Sequence, residues 1–159
     1  DGLNRDFAVK FFGSVAEETY QTPVEVELVS SERPAFWGAV AWDKQSETWR
    51  VFAWEGHRRD YELMWTLFHE LAHVLHRDIV KQGWSREDLD RLRQNLSGAS
   101  EWVDRGLVKA DKAREAAADA FAEAALAKYW PMFGKALIRA RLALLQTAVE
   151  EFKKEVKRG

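Results

Sequence analysis

The chain has no cysteine. Disulfides and thiolate-held zinc are therefore both excluded, and any metal must be held by histidine, aspartate or glutamate. It also lacks an apolar run approaching the roughly 20 residues that a membrane-spanning helix needs. Neither charge sign is in large excess. The formal net charge is −2, which gives no global pull toward nucleic acid or an anionic membrane. No basic-then-apolar segment of the kind that directs secretion follows Asp1. The expectation is a cytoplasmic chain, or one whose leader has been trimmed away. Without an initiator Met it reads as a fragment or a processed form, which leaves flanking domains open. No internal repeat or low-complexity linker divides it. What is abundant is apolar side chain, 47% of 159 residues, enough for one domain with a real core over residues 1–159. Eight tryptophans is high for this length.

Apolar periodicity predicts a helix over residues 4–20, broken at Thr22-Pro23. "VEVELV" (24–29) alternates strictly and reads as a strand with one wet face. "FWGAVAW" (36–42) and "TWRVFAW" (48–54) are two more strands, joined by a hairpin loop "DKQSE". Asp60 is a good N-cap for a helix to about Arg77. Ser85 followed by Asp88 marks another helix start, running to about Asn95. An Ala-rich helix is expected over 110–128, and Pro131 opens a last one to about Lys157. The fold class is α+β, with a small antiparallel sheet of about three strands packed with about five helices.

Three of the four histidines fall in "TLFHELAHVLHRD" (66–78). With successive residues 100° apart, Glu62, Thr66, His69, Glu70, His73 and His76 share one sector of the helix. Leucine, methionine, phenylalanine, alanine and valine cover nearly all the rest, so the helix is expected to be central and buried. A solvated stripe would carry Lys, Arg and Glu; this one carries metal-binding residue types. His69 and His73 are one turn apart, so both imidazoles can reach one ion at about 2.0–2.1 Å. Glu70 lies at the edge of the same sector, close enough to act on an activated water without being a ligand. This is the HExxH arrangement, in which the glutamate is the general base of a metallopeptidase. The competing reading, a core helix with hydrogen-bonded histidines, is weakened by the concentration of polar groups in one sector. His76 lies a further turn along and is expected to support the site rather than ligate.

A catalytic zinc usually has three protein ligands and one open position. Position 79 is Ile, so no third histidine follows at metzincin spacing. "REAAADAFAEAALA" (114–127) carries Glu115, Asp119 and Glu123 at i, i+4 and i+8 on one face of an Ala-rich helix. Like charges at that spacing repel, and a cation would relieve them. Glu115 is the expected third ligand, with Glu123 and Glu101 as rivals. Asp119 would then accept a hydrogen bond from the outer N–H of a ligating histidine. The alanines would let this helix pack closely on the histidine-bearing one.

HExxH followed by a helical ExxxD resembles the gluzincin metallopeptidases. More narrowly, "HELAHVLH" with "REAAADAFAEAAL" is similar to the ImmA/IrrE family of bacterial and phage metallopeptidase domains. The likeness covers about residues 50–127 and is strongest over 66–76. Glu115, Asp119, Phe121 and Ala122 fall in register, but Ala117 stands where the family has a second glutamate, and the family's "LLMP" ending is missing. The resemblance implies a zincin-like fold, a Zn²⁺ cofactor held by His69, His73 and Glu115, and cleavage of a protein or peptide substrate such as a repressor or antitoxin. The family's DNA-binding partner domain is not visible, and neither nucleic-acid nor membrane binding is expected.

Other features carry weaker expectations. Trp37, Trp42, Trp49 and Trp54 crowd the hairpin and either glue the sheet to the helices or line a substrate cleft. His57, in a turn before the central helix, is a candidate for stabilising an oxyanion. Ile138, Leu142, Leu145, Val149, Phe152 and Val156 step by four and three, a heptad-like seam. Packing of that seam on its own domain is the plainer reading, and a dimer or partner contact through 135–157 the sharper one. Two other functions stay open: a catalytically silent, metal-stabilised binding or sensor module, and a SprT-like protease of DNA-bound proteins, which the lack of a basic patch disfavours. A His/His/Glu set also suits divalent ions other than zinc.

Overall fold

The structure is a computed structural model that describes residues 2–32, 36–79, 85–94 and 112–158. Its elements in chain order are α1 (Gly2–Glu18), β1 (Val24–Val29), β2 (Gly38–Asp43), β3 (Thr48–Trp54), α2 (Asp60–Leu75), α3 (Arg86–Gln94) and α4 (Lys112–Arg158). The α+β class holds, with four helices among the described residues. Glu101 and the start of the helix expected from 110 lie outside them.

The sheet is mixed rather than antiparallel. Its order is β1-β3-β2, with β1 parallel to β3 and β2 antiparallel to it. The β2–β3 hairpin forms as expected, but β3 folds back between β2 and β1. Val51, Phe52 and Ala53 at the middle of β3 are fully buried, covered on both faces of the sheet. Both backbone edges of β3 are paired in this order, while β1 and β2 each keep one outer edge.

The alternation in β1 divides the molecule into layers. Val24, Val26 and Leu28 join the main core, with Phe12, Val40, Val51, Leu63, Leu67, Phe68 and Leu126 among its members. That core lies between the sheet and the helices α1, α2 and α4. On the other face, Phe52, Ala39 and Ala41 meet Leu89 and Leu92 of α3. The polar residues of β1 on this face join an ion-pair group: Arg50 contacts Glu25 at 2.9 Å and Asp43 at 3.0 Å, and Arg93 contacts Glu27.

Local chemistry explains most boundaries. Asp43 Oδ1 accepts from the backbone N–H groups of Gln45 and Ser46, which folds the hairpin turn. These contacts and Arg50 outweigh the effect of burial and hold its carboxyl below the usual range. At α3, Ser85 Oγ accepts from the Asp88 N–H while Asp88 Oδ2 accepts from Ser85, the expected reciprocal cap. Asp60 is the first helical residue of α2 rather than its cap; Arg59 holds that position with no side-chain bond.

The largest departure is at Pro131. Instead of two helices, one 47-residue helix runs through it. Proline removes one helical hydrogen bond at a cost of about 3 kcal/mol. Tyr129 and Phe133 on either side are both buried in the core, and Trp130 packs on Tyr61 and Phe133. Burying such aromatics stabilises by about 1.5–3 kcal/mol each, enough to hold the helix on course.

Candidate metal centre

Helix α2 crosses the core with Leu63, Met64, Leu67, Phe68 and Leu71 at 0–1% exposure. Its polar sector is buried too: Thr66, His69, Glu70 and His73 are all under 10% exposed. Against this sector lies the first part of α4. Ala118 and Ala122 are fully buried there, and their small side chains bring the two helices close enough for α4 carboxylates to reach the histidines.

The reach is direct. Glu115 Oε2 lies 2.9 Å from His69 Nε2, and its Oε1 lies 3.1 Å from His73 Nε2. The two Nε2 atoms are 3.3 Å apart. Ligands around one tetrahedral ion at 2.0–2.1 Å stand roughly 3.3 Å from one another. The three donors therefore have the spacing of three corners of such a site, and this buried group could hold a metal ion. Glu115 keeps 44% of its side chain exposed, so the cluster opens to solvent on the α4 side.

The outer nitrogens of both rings face aspartates. Asp119 Oδ1 is 2.9 Å from His69 Nδ1, though off the line of a good hydrogen bond. Asp78 Oδ2 is 2.9 Å from His73 Nδ1 in aligned geometry. A proton held on Nδ1 by a carboxylate leaves the Nε2 lone pair directed into the cluster. Trp65 stacks on the His69 ring at 5.1 Å.

Asp78 and Trp65 were missed by the sequence reading. Trp65 had a usable signal, since it lies one turn before His69. Asp78 had none, because its position depends on how α2 ends. Arg77 adopts φ 57, the left-handed region, and the Asp78 N–H donates to the His73 carbonyl at 2.9 Å. With Arg77 N–H donating to Val74, this is a Schellman cap with arginine where glycine is usual. The turn folds Asp78 back beneath His73, and Arg114 on α4 approaches its other oxygen at 3.6 Å.

Glu70 is buried next to the cluster. Burial pushes its carboxyl up to about 8, and the charge of Glu115 acts in the same direction. A cation at the cluster would oppose both effects. Gly38 of β2 lies against it: a Cβ there would stand 3.1 Å from Glu70 Cγ and 2.7 Å from Thr66 Cγ2.

The remaining candidates are not brought to the donors. His57 is 3% exposed, enclosed by the Trp37 and Trp54 rings, with Nε2 at 3.1 Å from Thr66 Oγ1. Burial holds its pKa below the usual histidine value. It is a buried group in contact with Thr66, outside the three-donor cluster. His76 caps α2 and lies edge-on to Phe121, outside the cluster. Glu123 is exposed, and Glu101 lies outside the described residues.

No protein-family model, curated protein or solved structure matches the chain. The site's chemistry has to be argued from its own geometry.

Proposed function

We propose that the chain is a zinc-dependent peptidase. The observation that carries this reading is the open three-donor group His69, His73 and Glu115 with buried Glu70 beside it. Three donors with a solvent-facing side fit a catalytic site better than a structural one, which would be closed by four. Zinc, when bound, supplies a Lewis acid that acidifies water and polarises the scissile carbonyl. Asp78 bonds the outer nitrogen of His73 and favours its ligating tautomer, and Asp119 lies beside the outer nitrogen of His69. Glu70 takes a proton from the attacking water and delivers it to the leaving amine nitrogen as the C–N bond breaks. The hydroxyl ends on the carbonyl carbon.

Two features support a peptide as substrate. The outer edge of β2 is unpaired among the described residues, and β2 lies directly against Thr66 and Glu70 through Gly38. An extended peptide can add to such an edge by backbone hydrogen bonding. Trp37, half-exposed just before β2, offers an apolar contact for a substrate side chain. The likeness of residues 66–76 to the ImmA/IrrE family points the same way.

Metal analysis of the purified full chain tests the proposal. About one zinc per chain is expected, lost in His69→Ala/His73→Ala. Glu70→Gln should keep the zinc and slow cleavage of an unfolded protein substrate by about 10²-fold or more. Zinc retained without both histidines would overturn the site. Stoichiometric zinc with no hydrolysis by the parent chain would instead leave a metal-stabilised binding module.

A further inference from the structure

Beyond Arg141, which donates to Asn4 of α1, α4 leaves the body of the protein. Every residue from Arg141 to Arg158 is exposed. Along this part of the helix, from Ile138 on, Ile138, Leu142, Leu145, Val149, Phe152 and Val156 recur at alternating steps of four and three, each 44–65% exposed. The plainer expectation, that the seam packs on its own domain, is not met. The reason is angular. On an ideal helix this seam is centred roughly 150° from the face that Ala122, Leu126, Tyr129 and Phe133 press into the core. Extending the helix cannot bring the seam back onto the body.

We propose that residues 138–156 form a coiled coil with the same segment of a second copy of this chain. The seam is of the a/d kind, one apolar residue per layer in a pattern that repeats every seven residues. All six layers are apolar, and none carries a charge that would demand a different, complementary partner, so the seam is its own match. Its centre is flanked by Gln146 and Ala148, which places no like charges across the middle of the pair. The six side chains offer roughly 600 Å² per copy, larger than most monomers leave exposed. Pairing them buries roughly 1,200 Å², the lower end of stable specific interfaces. The helix is already nucleated by its core-packed first half, so a short seam need not meet that cost on association. An anionic membrane is a poorer occupant. Glu150, Glu151 and Glu155 interleave with the lysines, and residues 138–156 contain no tryptophan.

Sedimentation of the full chain at low to high micromolar concentration tests the proposal. A concentration-dependent dimer is expected. Leu145→Glu/Val149→Glu should weaken it more than tenfold. Thr147→Glu, on the opposite side of the helix, should leave it unchanged. Far-ultraviolet circular dichroism checks that both variants keep the parent helix content; the substituted side chains are all exposed, so the body should fold as before. A monomer throughout the range would overturn the proposal, as would a dimer indifferent to the seam substitutions. A monomer that binds anionic phosphatidylserine vesicles through Leu145 and Val149 would also overturn it and assign the seam to a membrane surface. None of these outcomes depends on zinc or on peptidase activity.

Discussion

Two glycines show how far one Cβ position depends on its neighbours. A Cβ on Gly38 would meet Thr66 and Glu70 side chains and stand 3.0 Å from the Phe52 carbonyl oxygen, which cannot move aside cheaply. Gly38→Ala should therefore lower stability by about 1–3 kcal/mol and disturb Glu70. A Cβ on Gly13, inside α1, would meet nothing within 4 Å, so Gly13→Ala should raise stability by about 0.5–1 kcal/mol. Denaturant midpoints compare the two, and equal effects would contradict the packing. His57 gives a pH dependence of definite sign. Its folded pKa is held below the 6.5 of the free side chain, chiefly by burial. As pH falls from about 7 to 5, the unfolded chain takes up a proton that the folded chain resists, so stability falls. His57→Gln should flatten that part of the stability curve. An unchanged slope would show that His57 is not the group responsible.

Helix ends decide what the site contains. The α2 cap turns on Arg77 in the left-handed region, which costs a non-glycine residue about 1 kcal/mol. Arg77→Gly should keep the turn, whereas Arg77→Val should be about 1–2 kcal/mol less stable than Arg77→Gly. If the turn is what delivers Asp78 to His73, the valine variant should also bind zinc more weakly. Equal zinc affinity in the two would separate the turn from the site. At α4 the sequence cue misled for a physical reason. Proline stops a helix unless packing on both sides exceeds the lost hydrogen bond, and Tyr129 and Phe133 provide that packing. Nothing within the helix's own sequence announces this, because the core they enter is built by α1 and α2.

Across the whole molecule, the donor cluster joins α2 to α4, two elements whose candidate ligands are some forty positions apart. A bound ion would therefore act as a clip between helices and as part of the stability of the fold. With free zinc at about 100 times its Kd, the gain is about 2.7 kcal/mol, and the thermal midpoint should rise by about 5–10 °C. A chelator should reverse the rise, and His69→Ala/His73→Ala should show none. A midpoint insensitive to zinc in the parent chain would speak against the clip. No helix among the described residues is long and apolar enough to cross a membrane.

The sequence alone determined what depends on local spacing. His69, Glu70 and His73 share one sector because a helix turns 100° per residue, and the β1 alternation sorts valines from glutamates by the two-residue period of a strand. Glu115 and Asp119 were legible because like charges on an Ala-rich face ask for a cation. The tertiary structure decided what depends on distant neighbours. It placed β3 between β1 and β2, a pairing between strands that are distant in the chain and that no local spacing specifies. It carried α4 through Pro131 because the core holds the flanking aromatics. It folded Asp78 under His73 through a turn whose strain the rest of the fold sustains, and it turned the 138–156 seam away from the body, because the face that packs on the core lies on the other side of the helix.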